Sequence, residues 1–213
     1  IPHGPLHSVP FAALMGSDGS PVVREGGPIL TQAPSATILV RHCWTAYGSA
    51  DADVSCTAVG YNGLPGEPFY LRHAETEAQL VATITGGTAL TGPAAKKSDL
   101  RQVATRSRWL HFACHAQFIG DEPLGSFLLI GAEDQLSARE IMAEWQLRSD
   151  VVVLSACETG VAKVLAGDES LGLARAFLHA GARAALVSLW SVMDRPTCLL
   201  MHRFYKEMGR QTF

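Results

Sequence analysis

Apolar and polar positions follow one pattern in the first half of this chain and a more regular one after residue 98. Residues 1–35 are rich in Gly and Pro. The run Thr37 to His42 predicts a strand, and so does Ser55 to Gly60, because both are short, apolar and bounded by turn-forming residues. His73 to Thr85 predicts an amphipathic helix, since its apolar residues recur at spacings of three and four and its first turn is acidic.

After residue 98, helical and strand patterns alternate, which is typical of a parallel sheet with helices on both faces. We predict helices over 98–105, 137–144, 168–180 and 195–208, and strands over 109–114, 126–130, 151–155 and 184–190. Ser137 and Glu140 form a capping-box pattern at one helix start, and Gly181 is placed to end another helix. The predicted fold class is α/β, with an α/β/α arrangement around a mostly parallel sheet.

Composition narrows the functional classes. The chain has 213 residues and is 47% apolar, which is enough for one sizeable core. Seventeen basic and twenty acidic residues, without a block of like charge, argue against direct binding of nucleic acid. The longest apolar runs are strand-sized, so no membrane-spanning helix is expected. Five irregularly spaced cysteines predict no disulfide framework and favour a reducing cytoplasm.

The domain organisation is expected to be simple. We predict a single domain over 1–213, in which 1–97 is the less regular part and 98–213 the catalytic part. The chain has no initiator Met, and its first residues read as the end of a strand entering a turn. We therefore expect it to be a fragment of a longer protein.

Two ionisable residues, His115 and Cys157, lie just past predicted strands, where a parallel sheet opens into a crevice. A thiolate at Cys157 can attack a peptide carbonyl while the imidazolium of His115 protonates the leaving amine. Each also has an ordinary interpretation, since cysteines are commonly small buried residues and a loop histidine commonly makes one hydrogen bond. The polar residues after Cys157 favour a position at the mouth of its strand.

The sequence motifs give little support for a metal or cofactor site. A metal site from His111, Cys114 and His115 lacks a further ligand nearby. The Gly-rich turns at 16–19 and 63–66 have neither P-loop nor dinucleotide spacing. We predict no metal and no cofactor.

Several motifs stand in the order found in one family of peptidases. They are Pro2 to Leu14, Ala74 to Glu77, Leu110 to Ala116, Leu154 to Gly160, Gly167 to Glu169, Arg175 to Ala182 and Ser188 to Asp194. In these motifs the chain resembles, nearly end to end, the CHAT family of caspase-like cysteine peptidases, which often accompany tetratricopeptide repeats and are distantly similar to separase. The resemblance implies a caspase-like three-layer fold, a His115–Cys157 dyad and a structural role for His111.

The resemblance also implies an oxyanion hole formed by the backbone N–H groups of Ala116 and Cys157. The family usually has Gly at the position of Ala116. If the backbone there required a positive φ, Ala would cost about 1 kcal/mol and misplace the donor. The rate penalty for losing such a donor is about 100-fold or more.

The substrate pocket is expected beside the dyad. Its expected residues are Asp194, Trp190, Ser188, Glu158 and Asp168. Asp194 falls where separases hold a basic side chain, which predicts cleavage after Arg or Lys; alternatively, Asp194 caps the helix that begins near Arg195. Asp168 likewise precedes a helix, and Glu158 either steers cationic substrates or stays solvated.

Two functions from different classes follow. The favoured one is a cysteine endopeptidase that cleaves a protein partner in bacterial signalling or defence, regulated by repeats or domains outside this segment. The alternative is a catalytically silent CHAT-like module that serves as a protein-interaction surface. The presence of both His115 and Cys157 favours the peptidase.

Overall fold

The computed structural model describes residues 1, 6, 9–24, 27, 30–44, 54–67, 70–92, 95–119, 121–157, 170–188 and 191–210. The helices are α1 (Ala36–Trp44), α2 (Ala74–Thr85), α3 (Lys97–Ala104), α4 (Ala138–Glu144), α5 (Ser170–His179) and α6 (Asp194–Arg210). The strands are β1 (Val54–Gly60), β2 (Thr88–Thr91), β3 (Ser107–Gln117), β4 (Phe127–Leu129), β5 (Gln135–Ser137), β6 (Val151–Cys157) and β7 (Ala184–Val187). Short 3-10 turns occur at Phe11–Ala13 and Pro123–Gly125.

Strand β3 is the centre of the sheet. It pairs in parallel with β1 on one edge and with β6 on the other. Strand β2 adds to β1 and β7 adds to β6, also in parallel, so the order is β2-β1-β3-β6-β7. The last residues of β3 pair with β4, which pairs with β5, and both of these pairings are antiparallel. The mostly parallel central sheet predicted from the sequence is confirmed.

Helices cover both faces of this sheet. On one face α2 packs against α6 and against β1, over buried residues that include Ala58, Val81, Val153 and Tyr205. The opposite face carries the larger core, to which α3, α4 and α5 contribute. Its large, fully buried side chains include Leu100, Leu110, Phe112, Ile141, Leu173 and Phe177. The three-layer α/β/α arrangement is therefore confirmed.

Local capping signals determine several helix ends. The Ser137 hydroxyl accepts a hydrogen bond from the Glu140 backbone N–H at 3.2 Å, and the Glu140 carboxylate accepts one from the Ser137 N–H at 3.0 Å. This completes the predicted capping box at the start of α4. Gly181, with φ of 116°, follows the end of α5 in a conformation that favours glycine.

The strand predicted over Thr37 to His42 is wrong, because these residues lie in α1. The Ser35 hydroxyl accepts a hydrogen bond from the Ile38 N–H at 3.2 Å. The Ser35 carbonyl accepts another from the Leu39 N–H at 3.1 Å. An N-cap of this kind stabilises a helix by about 1 kcal/mol, which offsets the weak helix propensity of a β-branched run.

Two short strands, β2 and β5, were not predicted, and β7 ends at Val187 rather than continuing as a strand to residue 190. Residues 189 and 190 lie outside the described part of the chain. Among the described residues, no helix combines the length and apolarity needed to cross a membrane.

Candidate active site

His115 and Cys157 are partners across the ladder that joins β3 to β6. The parallel register runs from Trp109 and Val151 to His115 and Cys157, and this last pair stands at the carboxyl end of β6. Neighbouring strands lie about 4.8 Å apart, so the two backbones run side by side at these residues. The fold thus brings together the two residues that the sequence analysis selected.

His115 is buried, with 4% of the residue exposed. Because side chains alternate along a strand, His115 belongs to the same face of β3 as His111, which contacts α2 and α6. The backbone of His115 also pairs with Leu129 of β4. The residue is therefore held on two sides by strands, and its position does not depend on a loop.

A buried polar network lies four residues before His115. His111 Nε2 is 3.0 Å from Glu77 Oε1, and His111 Nδ1 is 3.1 Å from the Tyr205 hydroxyl. None of the three residues is more than 3% exposed. Burial is the main cause that raises the pKa of Tyr205, and the nearby Cys56 and Glu77 raise it further, which keeps its phenol neutral. The network joins α2, β3 and α6, and the sequence analysis missed Tyr205.

Ala116 lies inside β3 and is fully buried in the core beneath α3, α4 and α5. Its backbone pairs with Leu128. None of the described residues other than glycine has a positive φ, so the methyl group of Ala116 brings no left-handed strain. The backbone strain considered for this position is absent.

Asp194 is the first residue of α6 and connects it to α2. Its Oδ2 atom accepts a hydrogen bond from the backbone N–H of His73, the N-cap residue of α2, at 3.0 Å. One carboxylate oxygen therefore helps to hold the amino ends of the two helices together. Three of the other residues predicted for the pocket, Glu158, Asp168 and Trp190, lie outside the described residues.

A cavity of about 340 Å³ lies between β6, β7 and α6. Its described lining residues are Val153, Leu154, Ser155, Leu186, Val187, Ser188, Val192, Thr197, Leu200, Met201 and Phe204. Ser188, predicted for the pocket, is thus in its wall, and Ser155 is an addition that the sequence analysis did not select. The signal for Ser155 was its place in the Ser-Ala-Cys motif, two residues before Cys157.

The sheet order, the helices on both faces and the paired His115 and Cys157 define a caspase-like α/β protein. A profile of the family described as CHAT domain matches residues 1–212. Since this match covers nearly the whole sequence, the chain belongs to the CHAT domain family.

Two mammalian relatives extend the comparison. Tetratricopeptide repeat protein 28 of Homo sapiens is 26% identical over 251 residues, an alignment covering 96% of this chain and 10% of the relative. The Mus musculus protein of the same name is 26% identical over 252 residues, with the same coverage. The chain spans about a tenth of the length of these relatives. Their name agrees with the repeat association implied by the family resemblance.

Proposed function

We propose that this chain is a cysteine endopeptidase domain, with Cys157 as the nucleophile and His115 as the acid-base group. The observation that supports the proposal best is the register pairing of these two residues at neighbouring strand ends. A nucleophile and its base must lie within hydrogen-bond reach during reaction. Two residues fixed by one ladder can satisfy this requirement without a loop rearrangement.

In the proposed reaction, the Cys157 thiolate attacks the carbonyl carbon of a peptide bond and forms a tetrahedral oxyanion. The N–H groups of Ala116 and Cys157 are the proposed donors to that oxyanion. His115 then protonates the leaving amine, the C–N bond breaks, and an acyl-enzyme remains. His115 next takes a proton from water, whose oxygen attacks the acyl carbon and releases the acid product and the thiol.

The proposed substrate is a protein, and the proposed regulators are repeats or domains outside this segment. A free thiol at Cys157 is compatible with a reducing cytoplasm, where we place the protein. Bacterial signalling or defence stays a hypothesis from the family resemblance, since both relatives described above are mammalian.

The test compares cleavage of a diverse peptide library by the full-length protein and by its Cys157→Ala and His115→Ala variants. Cys114→Ala is the matched control, because Cys114 neighbours His115 in sequence but lies in the core on the other face of the sheet. We expect the native protein and the control to share cuts that both dyad variants lose. Cuts that survive in Cys157→Ala would contradict the proposal.

The second candidate is a silent protein-interaction module. This candidate is motivated by Ala116, because the family usually has Gly at that position. A native protein that cleaves no peptide, with or without the proposed regulatory repeats, would favour this function. The absence of backbone strain at Ala116 supports the peptidase instead.

A further inference from the structure

The cavity between β6, β7 and α6 includes in its wall residues of β6 that immediately precede the end of the strand at Cys157. Ser155, in its wall, precedes Cys157 by two residues on β6, and Ser188, also in its wall, directly follows β7. Two residues along a strand span about 6.6 Å. A side chain next to the bond under attack at Cys157 is therefore within reach of this cavity.

The described walls of the cavity carry no charged side chain. All of its described lining residues are aliphatic, aromatic, thioether or hydroxyl side chains. A charged side chain that entered would lose hydration without gaining an opposite charge from these walls. The volume of about 340 Å³ leaves room for one amino-acid side chain.

Ser155 supplies a second, independent observation. The residue is 7% exposed, and its Oγ atom is buried without a hydrogen-bond partner in the described structure. Buried hydroxyl groups are nearly always paired, because an unpaired one carries a desolvation penalty. A bound ligand with a polar atom near Ser155 would remove this penalty.

Asp194, the residue expected to attract a basic side chain, is not among the described residues that line the cavity. It lies between Val192 and Thr197 in sequence, but its Oδ2 atom accepts a hydrogen bond from the His73 N–H. The described part of the cavity therefore lacks the carboxylate of Asp194 that the sequence analysis expected there.

We propose that this cavity binds an uncharged, largely apolar substrate side chain, the size of Leu or Met, on the amino side of the bond that is cut. The Ser155 hydroxyl hydrogen bonds to a polar atom of the bound residue. The inference rests on the proposed function only in taking Cys157 as the nucleophile. The expected residue on the amino side of the cut bond is then Leu or Met rather than Arg or Lys.

The first experiment measures the rate at which electrophilic peptides label Cys157 in the full-length protein, followed by intact mass. The peptides differ only in the residue next to the reactive group, which is Leu, Met, Ala, Arg or Lys. We expect Leu and Met to react at least about 10-fold faster than Ala, Arg and Lys, because a few buried methylenes give discrimination of this order. Fastest labelling by Arg or Lys, or equal rates for all, would overturn the inference.

A pair of adjacent substitutions tests the cavity itself. Val192→Trp adds bulk to the lining, whereas Met193→Trp adds the same group at a residue that is 74% exposed and outside the described lining. We expect Val192→Trp to slow labelling by the Leu peptide about 10-fold, and Met193→Trp to leave it unchanged. Equal effects would count against the cavity as the binding site.

Binding without chemistry separates this inference from the proposed function. Methyl NMR signals of Val153, Leu186 and Met201 are followed in the Cys157→Ala protein during titration with acetyl-leucine amide and acetyl-arginine amide. Signals that move with the leucine compound alone support the cavity even if the native protein labels with no peptide, in which case only the peptidase proposal fails. If the signals shift with neither compound, the cavity is not the binding site, whether or not Cys157 is reactive.

Discussion

The Oε1 atom of Glu77 lies 3.0 Å from Nε2 of His111, and both side chains are almost completely removed from water. The contact joins helix α2 to the central strand β3. Through the other ring nitrogen of His111, the same network reaches Tyr205 on α6. The strand that carries His115 is thus attached to both helices on one face of the sheet by polar contacts that have no access to solvent.

Replacing Glu77 with Ala should destabilise the protein strongly. The imidazole of His111 would lose a buried partner, which costs about 1–3 kcal/mol in the free energy of unfolding, and Glu77→Gln should cost less because it keeps the shape. Chemical denaturation measures both losses. Glu144→Ala is the control, since Glu144 pairs with Arg101 at the surface with half of its side chain exposed, and a change there should stay within about 0.5 kcal/mol. Equal losses at the two positions would contradict the importance of the buried contact.

Glu140 should make the stability of the protein depend on pH. Partial burial raises the pKa of its carboxyl, but hydrogen bonds from Lys97 and Ser137 outweigh this effect and hold the pKa below its usual value. A lowered pKa in the folded state gives stability that is present above the unfolded pKa of about 4.3 and is lost as the pH falls through the folded value. We expect Glu140→Gln to lower Tm by about 2 °C at pH 7 and much less at pH 3.

Thermal unfolding of the native and Glu140→Gln proteins across this pH range checks the prediction. Gln can still form the capping box, so the substitution isolates the effect of the charge. In a Lys97→Met background, most of the pH-dependent difference should disappear, because the ion pair of 2.7 Å is already lost. A difference that is constant with pH would show that the charge of Glu140 is not responsible.

Gly60→Ala should loosen the contact between β1 and α2. A Cβ atom at Gly60 would lie 2.7 Å from both the carbonyl oxygen of Ala74 and the Cβ of Ala78, well inside the separation of about 3.5–4.0 Å at which nonbonded atoms attract. Overpacking of this kind typically costs about 1–3 kcal/mol, which denaturation would measure. Gly209→Ala, in α6 with open space around it, should be neutral or slightly stabilising. If Gly60→Ala is as stable as Gly209→Ala, α2 does not pack as closely against β1 as described.

Ala116→Gly tests whether the methyl group impairs the proposed oxyanion hole. Since Ala116 lies in a strand without a positive φ, glycine should remove no strain and should cost about 0.5–1 kcal/mol of stability. We expect peptide cleavage by this variant to stay within about threefold of the native rate. A gain of about 100-fold would mean that the methyl group displaces an oxyanion donor.

Elements with strong local signals could be predicted from the sequence. Ser137 and Glu140 are three residues apart, and the apolar strand over 151–155 carries its signal in its own composition. The strand prediction for Thr37 to His42 failed because its β-branched residues favour a strand. The helix start depends instead on hydrogen bonds from the helix backbone to Ser35. His115 and Cys157 could be selected as candidates because each lies just past an apolar strand pattern.

The chemistry of the cavity could not be read from the sequence in the same way. Its walls combine residues such as Val153, Leu186 and Phe204, which belong to three elements and come together only through the packing of α6 on the sheet. Tyr205 is separated from His111 by 94 positions, and no periodic pattern links them. Asp194 was assigned to the pocket from a motif, whereas its contact with His73 depends on how two helices meet.

The central ladder has a consequence for how such domains can diversify. Between His115 and Cys157 the chain leaves β3, forms β4, β5 and α4, and returns as β6. Because hydrogen bonds between β3 and β6 determine the spacing of the two residues, insertions or deletions in this excursion change the surface without changing that spacing. Evolution can therefore remodel what such a domain recognises while its reactive pair keeps the same geometry.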